Sequence, residues 1–474
     1  MKKSLVALAV LAATGAYAQS SVTLYGIVEA TTDIGYNRTV DTNTTTNTFN
    51  AAGGGVSSTV SSTNGSQKNN FRIQDGNSQG TGTSRVGFRG TEDLGGGLKA
   101  NFLMEMGIRV DDGCVTTAGA VCSSGPSGGN LFGRNAWGGL SGGFGEVRLG
   151  RQVLGSFSVQ GNSGSSGSSN GLYDATTATM LPMGGVRFSN AIRYMTPDFG
   201  GFKGSLMLSA PETNPNGDPS AAFTPNSGTT TATNGVVVTN NNSRRTGVDL
   251  ALEYANGPAY VGFGYNKRDT ANIGLSTTPV PTGTTTANNA AALLFAFPLA
   301  PTLPATVTGY TIGGSYDLGV VKPFVNYTRQ NTNFNGVSTF TAIIPANSTN
   351  QAISGDFSAR ALSIGLRAPV GAFTVITGFG RSTTSGNGVF VSSALGVTTT
   401  TAGRLDEKRD AFQLGAQYAL SKRTLVEANY GYNRLRENTS SVATSTAAGA
   451  GRTETFVRSN DRISALNVGL KHSF

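Results

Sequence analysis

The residue types that most often perform enzyme chemistry are scarce in this sequence. Among 474 residues there is one histidine, His472, and there are two cysteines, Cys114 and Cys122. A serine hydrolase needs a histidine beside its nucleophile and an orienting acid or amide, but His472 falls on the apolar face of a terminal alternating segment. One histidine and two cysteines also lack the spacing of a zinc site. We therefore expect no enzyme, no metal site and no cofactor.

Arginine and lysine are the remaining candidates for chemistry. They number 35 against 26 aspartates and glutamates, which gives a formal net charge of +9 at pH 7. The basic residues are dispersed along the chain, and no patch of basic and aromatic residues recurs, so the sequence argues against nucleic-acid binding. What these charges do depends on the elements that position them.

The composition favours an all-β protein. Glycine occurs 66 times and charged residues make up only 13% of the chain, which is about half the share of an ordinary globular domain. Outside the N-terminus there is no apolar run of the ~18 residues that a spanning helix needs. Alternation of apolar and polar residues is frequent instead.

The N-terminus has the pattern of a secretory signal peptide. Lys2 and Lys3 precede an apolar core at 5–13 and the small-residue site around Ala18, so we expect residues 1–18 to be removed and 19–474 to form one domain. Export places Cys114 and Cys122 in an oxidising compartment. We expect one disulfide between them, with a pair of free thiols as the alternative.

Period-two alternation identifies the predicted strands. Every even position from Leu98 to Ile108 is apolar, whereas the odd positions are mostly polar or small. A strand sorts such residues onto two faces, whereas a helix would scatter them. Sixteen segments follow this pattern: 21–36, 83–91, 97–109, 131–140, 144–151, 187–196, 202–210, 246–255, 259–268, 307–316, 320–330, 358–367, 371–382, 409–419, 423–436 and 461–474.

The connections between these segments alternate between short and long. Short turns such as 92–96 and 420–422 alternate with long, Thr- and Asn-rich connections such as 37–82 and 211–245. A transmembrane up-and-down barrel has tight turns at one end and long loops at the other, and its sheet must close because lipid cannot satisfy an open edge. Sixteen strands enclose a water-filled lumen. A soluble β-sandwich has no physical reason to place its short and long loops at opposite ends, so the loop lengths argue against that fold.

Four segments carry a resemblance to a known family. They are TSRVGFRGTEDLGGGLKA at 83–100, SGGFGEVRLGRQ at 141–152, LSKRT at 420–424 and GLKHSF at 469–474. The sequence resembles the general porins of β-proteobacteria along its whole length, most weakly in the long connections. The resemblance implies a homotrimer of 16-stranded antiparallel barrels in a Gram-negative outer membrane, surrounded by lipid and lipopolysaccharide. It also implies that residues 152–186 fold into the lumen as a constriction loop, and that Phe474 is the signal for the barrel-assembly machinery.

The alternation also predicts which charges face the lumen. With apolar positions outward, the predicted inward bases are Arg85, Arg89, Lys99, Arg109, Arg134, Arg148, Arg187, Arg193, Lys203, Lys322, Arg367 and Lys471. The predicted inward acids are Glu105, Glu146, Asp249, Glu253 and Glu427. A low-dielectric wall focuses such a field into the channel, so we expect a positive lumen that favours small anions.

By resemblance, the constriction is lined by Arg85, Arg134 and Arg187, with Glu105 and Asp174 as counter-charges. Asp174 is the only charged residue in 152–186. The bland alternative is that each arginine is a wall residue paired with a carboxylate across the barrel.

The sequence therefore predicts an anion-preferring diffusion channel for small hydrophilic solutes. The alternative is a substrate-specific channel for organic anions or phosphate, and surface loops that bind a host or phage partner are a further possibility. The apolar stretch at 290–297 has no physical explanation from the sequence.

Overall fold

A computed structural model describes most of the chain. The described residues are 21–50, 56–75, 84–111, 113, 115–116, 131–164, 181, 185–210, 236–238, 245–270, 305–342, 348–394, 397–445 and 451–474. The predicted signal peptide, Cys114, Cys122, Asp174 and the apolar stretch at 290–297 lie outside them.

These residues form nineteen strands and one helix, α1, at Gly155–Gly164. The strands are β1 Ser21–Phe49, β2 Val56–Asp75, β3 Arg85–Gly95, β4 Leu98–Ile108, β5 Val115–Thr116, β6 Asn135–Gly142, β7 Gly145–Val153, β8 Arg187–Met195, β9 Phe202–Ser209, β10 Val236–Val238, β11 Arg245–Asn256, β12 Ala259–Thr270, β13 Ala305–Tyr316, β14 Lys322–Ala342, β15 Ser348–Val370, β16 Phe373–Ala394, β17 Val397–Ala419, β18 Thr424–Ser445 and β19 Arg452–Ser473. No helix in the described part of the chain has the length and hydropathy of a membrane span.

Sixteen of the strands close into a barrel. Antiparallel pairing runs in order through β1, β3, β4, β6, β7, β8, β9 and β11 to β19. The ring closes where β19 pairs with β1, from Ile27 opposite Ser473 to Phe49 opposite Arg452. The short strands β5 and β10, and the long β2, pair with single members of this ring. The predicted 16-stranded antiparallel barrel is confirmed, and each predicted segment overlaps one strand.

The two faces of the sheet are opposite in character. Large apolar side chains such as Leu252, Ile364 and Leu414 are exposed on the outside, whereas Asn266, Gln413 and Asn467 are fully buried on the inside. This reversal of the soluble pattern is what a strand needs when one face meets lipid and the other a polar lumen.

The tight turns gather at one end of the barrel. Gly95, Gly96 and Gly97 all have positive φ in the turn between β3 and β4, a conformation that costs glycine little. In the turn before β9, the N–H of Gly201 donates to Asp198 at 2.6 Å. This backbone donor, aided by the Lys203 ammonium, lowers the pKa of Asp198.

The chain ends at the seam of the barrel. The N–H of Phe474 donates to the carbonyl of Gly26 at 3.1 Å, and the N–H of Gly26 donates to the carbonyl of Phe474 at 3.2 Å. These bonds extend the pairing of β19 with β1 to the final residue.

Strands β14 to β19 and β1 are far longer than predicted. β17 begins at Val397, twelve residues before the segment predicted to start at 409. Its added part, VTTTTAGRLDEK, has no apolar alternation, yet it pairs continuously with β16 and β18. Outside the membrane both faces of a strand meet water, so the ladder continues where the hydrophobic pattern stops. The sequence interpretation had assigned these residues to loops.

Candidate functional site

Two arginines meet one carboxylate on the inner face near β3 and β4. Arg134 Nε lies 2.7 Å from Glu105 Oε1, and Arg85 Nη1 lies 3.9 Å from Glu105 Oε2. The hydroxyl of Tyr25 donates to the same carboxylate at 2.8 Å. Glu105 is only 4% exposed. The structure thus brings together three of the five residues predicted for the constriction.

Arg134 reaches this position because the chain bends before β6. Like Ala136 and Leu140, Arg134 has an even number, and Leu140 faces outward and is exposed. Regular alternation would therefore point Arg134 outward as well. β6 begins only at Asn135, and the N–H of Arg134 donates to the carbonyl of Glu105 at 3.2 Å. The prediction of an inward side chain therefore agrees with the observed contact, but strand alternation is not its cause.

Arg187 is the first residue of β8, opposite Val153 of β7. Its guanidinium is within electrostatic range of Arg85, Arg134 and Glu105. A further arginine, Arg151, also lies within that range. The fifth predicted member, Asp174, is outside the described residues.

Arg151 was missed because a β-bulge interrupts β7. In a regular strand, Arg151 would lie on the same outward face as Leu149, two residues earlier. The β7–β8 register shifts between Gly150 and Gln152, however, and Gly150 has a φ of +126°. Arg151 Nε donates to the carbonyl of Gly133, and its Nη1 donates to Ser189 Oγ, both at 2.7 Å. A glycine inside a strand often marks such a bulge, and this is the signal that was available.

Arg268 was also absent from the predicted lumen bases, although regular alternation places its side chain on the inner face. Its partner across the ladder is Gly247, which shares the inner face with Asp249. Arg268, Arg151 and Arg187 line one cavity of about 90 Å³. We call Arg85, Arg134, Arg151, Arg187 and Arg268 the basic cluster.

The other predicted lumen bases have varied partners. Arg148 pairs with Glu146 at 2.8 Å, and Arg109 pairs with Asp111 at 3.6 Å. Arg193, Arg367 and Arg89 instead contact Ser205 Oγ, Gln417 Oε1 and the ring of Tyr25. Lys99 lies opposite Ser141, on the face that also carries Glu105. Lys203 pairs with Asp198 at 3.3 Å, and Lys471 lies 3.8 Å from Glu29 on the neighbouring strand. These pairs join residues close in the chain or on adjacent strands, so none of them is the pairing across the barrel that the alternative requires.

Two inward acids were not predicted. Glu29 and Asp33 are fully buried on β1, opposite Lys471 and Asn467 of β19. Their neighbours are small or β-branched residues, so the alternation that identified other inward positions is weak there. These two acids offset the two missed bases, Arg151 and Arg268, so the four residues together leave the predicted excess of positive charge in the lumen unchanged.

The inner face of β11 to β14 holds α1. The N–H groups of Gly155 and Ser156, at the start of α1, donate to the carboxylate of Asp249 on β11, the former at 2.7 Å. An acidic group in this position satisfies free amides of the first turn and complements the helix dipole. Further along α1, Gln160 Nε2 donates to Thr328 Oγ1 at 3.1 Å. We call the inner face of β11 to β14 the anchoring wall.

Glycines in the anchoring wall let α1 approach closely. A Cβ on Gly264 would lie 2.6 Å from Cα of Ser156, and one on Gly262 would lie 2.8 Å from a methyl of Val159. Leu154, just before α1, packs with Phe188 and Met207 in a small buried cluster. The segment after β7 therefore lies inside the ring of strands.

The arrangement suits passage of solutes rather than reaction chemistry. Across the described ranges, no group of three or more His, Cys, Asp or Glu side chains is placed to hold a metal ion. Basic side chains line the lumen together with a helix that hydrogen bonds hold to the anchoring wall. Such an arrangement can narrow an aqueous path and set its potential.

Comparisons with known proteins agree with this fold. The model of a family described as Gram-negative porin matches residues 4–438. An outer membrane porin protein of Bordetella pertussis is 31% identical over 95% of this chain and 99% of its own length. Outer membrane porin protein 32 of Delftia acidovorans is 30% identical, with both chains covered completely.

Among solved structures, the chain is similar to an anion-selective porin from Comamonas acidovorans. The identity is 24%, the coverage is 96% of this chain and 100% of that one, and the TM-score is 0.48. The family match and the two relatives covered almost end to end show that this chain belongs to the Gram-negative porin family of outer-membrane channels, and that it is not an enzyme.

Proposed function

We propose that this porin passes small hydrophilic solutes by passive diffusion and prefers anions, and that the basic cluster controls this preference. The observation that carries the proposal is the pairing around Glu105. Arg85 and Arg134 share this one carboxylate, and Arg187 and Arg151 lie close by. Glu29 is also within electrostatic range of Arg85, but two negative charges cannot neutralise four guanidinium groups, so the inner face keeps a local positive potential.

The acids of the anchoring wall do not offset this potential equally, because they are engaged in holding structure. Asp249 accepts from the start of α1. Glu253 accepts from Tyr260 Oη at 2.6 Å and from Asn162 Nδ2 at 3.0 Å. Hydrogen bonds from these neutral donors hold both carboxylates in place against the anchoring wall, and a solute in the lumen meets the basic cluster as the less compensated group.

The test is the reversal potential of the reconstituted protein in a planar bilayer under a potassium chloride gradient. We expect the sign that corresponds to chloride preference, and a large loss of that preference when Arg85, Arg134 and Arg187 are all replaced by Gln. The matched control replaces Arg329, Arg360 and Lys408, which lie on the outward face, by Gln, and should leave the reversal potential unchanged. Cation preference of the unaltered protein would contradict the proposal.

We also propose that residues 152–186 act as the constriction loop, with Asp174 as a second counter-charge. The position of α1 on the anchoring wall supports this assignment. Neutralising Asp174 as Asp174→Asn should raise chloride preference in the same bilayer measurement. An unchanged ratio would remove Asp174 from the constriction.

The assembly of the protein is a further part of the proposal. We expect a homotrimer, removal of residues 1–18 after Ala18, recognition of Phe474 by the barrel-assembly machinery, and a surround of lipid and lipopolysaccharide. Membership of the family supports these expectations. N-terminal sequencing and native mass spectrometry of the mature protein test the first two, and the yield of folded barrel from a Phe474→Ala variant tests the third.

A further inference from the structure

A pair of apolar side chains lies on the inner face beside the basic cluster. Leu103 on β4 faces Trp137 on β6 across the ladder, and both are only partly buried. The neighbours of Leu103, Phe102 and Met104, are exposed on the outside, which places Leu103 inward. Leu103 is two residues closer to the tight turns than Glu105. Since tight turns mark the periplasmic end of a porin, the pair lies on the periplasmic side of the basic cluster.

Arginines flank this apolar pair on both sides. Arg89 of β3 lies opposite Leu103, and Cζ of Arg148 on β7 lies 4.0 Å from the centroid of the Trp137 ring. A Cβ on Gly139 would lie 3.2 Å from Cγ of Arg148, so the missing side chain at Gly139 leaves room for Arg148 to cross to the indole. We call Arg89, Leu103, Trp137 and Arg148 the tryptophan platform.

The two arginines of the platform differ in how far their charges are compensated. Nε and Nη2 of Arg148 each donate to Glu146 at 2.8 Å. Arg89 is exposed, and its Cζ lies 5.2 Å from the centroid of the Tyr25 ring. Within the described ranges, Arg89 forms no ion pair with a carboxylate, and Glu105 on the same face is already shared by two guanidinium groups of the basic cluster. Arg89 is therefore the cation of the platform that is open to a solute anion.

The order of groups across the platform specifies a class of solute. From β3 to β6 the wall presents an exposed guanidinium, an aliphatic side chain and an indole, whose Cα atoms span about 10 Å at the usual strand spacing. An inorganic anion gains nothing from the apolar surface, and a neutral apolar solute gains nothing from Arg89. A flat ring that carries one carboxylate uses both, because aromatic rings pack favourably on one another and a carboxylate forms charge-assisted hydrogen bonds with a guanidinium group.

We propose that the tryptophan platform is a subsite for aromatic carboxylates that pass through the lumen. The ring of the solute lies against Leu103 and the exposed part of the indole, and its carboxylate pairs with Arg89. Arg148, which stacks on the indole and is neutralised by Glu146, holds the ring of Trp137 in place. The inference rests on the proposed anion preference, because the solute enters as an anion, and it adds a preference among anions.

Trp137 is the only tryptophan in the chain, so tryptophan fluorescence reports on this platform directly. The test titrates the purified mature porin in detergent micelles with benzoate, cyclohexanecarboxylate and acetate at constant ionic strength. We expect a saturable change in fluorescence with benzoate. Cyclohexanecarboxylate, which has the same charge but no aromatic ring, should bind at least about threefold more weakly. Acetate should produce no saturable change.

Replacing Arg89 removes the proposed partner of the carboxylate. Arg89→Gln should weaken benzoate binding at least about fivefold, since the lost contact is a charge-assisted hydrogen bond. The matched control is Arg367→Gln, which removes a predicted lumen cation that contacts Gln417 and should leave benzoate affinity unchanged. Benzyl alcohol, which keeps the ring without the carboxylate, should bind the unaltered porin and Arg89→Gln equally weakly.

A second measurement tests the indole itself. Benzoate added to potassium chloride should reduce the single-channel current, because a bound solute occupies part of the lumen. Trp137→Leu keeps an apolar side chain but no aromatic ring, so it should need at least about threefold more benzoate for the same reduction. An unchanged benzoate requirement in Trp137→Leu would contradict the role of the indole.

Two further outcomes would overturn the proposal. Equal affinities for benzoate and cyclohexanecarboxylate, or equal losses in Arg89→Gln and Arg367→Gln, would mean that lumen charge alone attracts the anion. A fluorescence change that rises linearly with benzoate would mean collisional quenching without a site. Chloride preference in the potassium chloride gradient without benzoate binding would remove only this subsite, whereas cation preference would remove the proposed function itself.

Discussion

The basic cluster and the anchoring wall line one lumen and meet at β12, which carries Arg268, yet they use their charges differently. Glu105 is surrounded by guanidinium groups of the basic cluster, whereas Asp249 on the anchoring wall is surrounded by hydroxyl and amide donors from α1. Both carboxylates are nearly or fully buried. The first tunes an electrostatic potential, and the second fixes the position of a structural element.

This difference explains why the anchoring wall has small residues and the basic cluster does not. Gly262 and Gly264 leave room for the backbone of α1. Long arginine side chains instead fill the space at the basic cluster, where the side chain of Arg134 is only 11% exposed. One lumen can thus be narrowed by a helix and charged by arginines at neighbouring parts of its surface.

Among the variants of the two regions, removal of the Asp249 carboxylate should have the largest effect, because it releases α1 from the anchoring wall. Asp249→Ala leaves the buried amides of Gly155 and Ser156 without an acceptor, which costs about 3 kcal/mol. We expect the amides of α1 to exchange with deuterium about a hundredfold faster in the reconstituted protein. Single-channel conductance should become larger or noisier as α1 leaves the wall.

The control for this variant is Asp356→Ala, which removes an exposed carboxylate of β15 that contacts Asn333. It should leave both exchange and conductance unchanged. Slow exchange of α1 in Asp249→Ala would show that the hydrophobic cluster around Leu154 is a sufficient anchor.

Overfilling the anchoring wall should have the next largest effect. In Gly264→Val, the added atoms meet the backbone of Ser156 at a distance that forces a shift, and such overpacking costs about 1–3 kcal/mol. We expect α1 to move toward the basic cluster and the conductance to fall. Gly138→Ala is the matched control, because the nearest atom to a Cβ there is 4.0 Å away. Equal conductance of the two variants would show that α1 does not pack closely against Gly264.

The barrel itself was predictable from alternation and loop lengths, because lipid on one face and water on the other impose a strict period of two. The lengths of β14 to β19 were not predictable in this way. Residues Thr398 to Thr401 show no apolar alternation, and pairing with β16 and β18 continues the sheet through them. Pairing of this kind is non-local, and a single sequence contains no direct signal for it.

The candidate site was predictable in part. Glu105 and Arg85 follow from alternation, whereas Arg151 depends on a bulge at Gly150 and Arg134 on a bend before β6. The role of Asp249 as a helix anchor was not foreseen, because α1 and β11 are about ninety residues apart in the sequence. Alternation specifies a face, but it does not specify which element from elsewhere in the chain will cover that face.

Neutralising Glu105 should increase the positive potential at the basic cluster and leave the anchoring wall unchanged. Glu105→Gln keeps the shape of the side chain and an acceptor for Arg134 while removing the negative charge that Arg85 and Arg134 share. A unit charge at about 4 Å in water contributes about 1 kcal/mol. We therefore expect the chloride-to-potassium permeability ratio to rise by up to about fivefold. An unchanged ratio, with heat-stable folded barrel still formed, would mean that permeating ions do not sense this cluster.

The smallest expected effect comes from a pair of adjacent cations on β12. Arg268 faces the lumen opposite Gly247, whereas Lys267 faces outward opposite Val248. Arg268→Gln removes one charge at the edge of the basic cluster, where water and salt screen it, so chloride preference should fall by less than about twofold. Lys267→Gln removes the same charge one residue away and should change nothing in the same reversal-potential measurement. The two residues are adjacent on one strand and lie at nearly the same depth in the membrane. A difference between the two variants must therefore come from the face of the sheet that each side chain occupies. Equal shifts in both variants would mean that the net charge of the protein, rather than the charge lining its lumen, sets the selectivity.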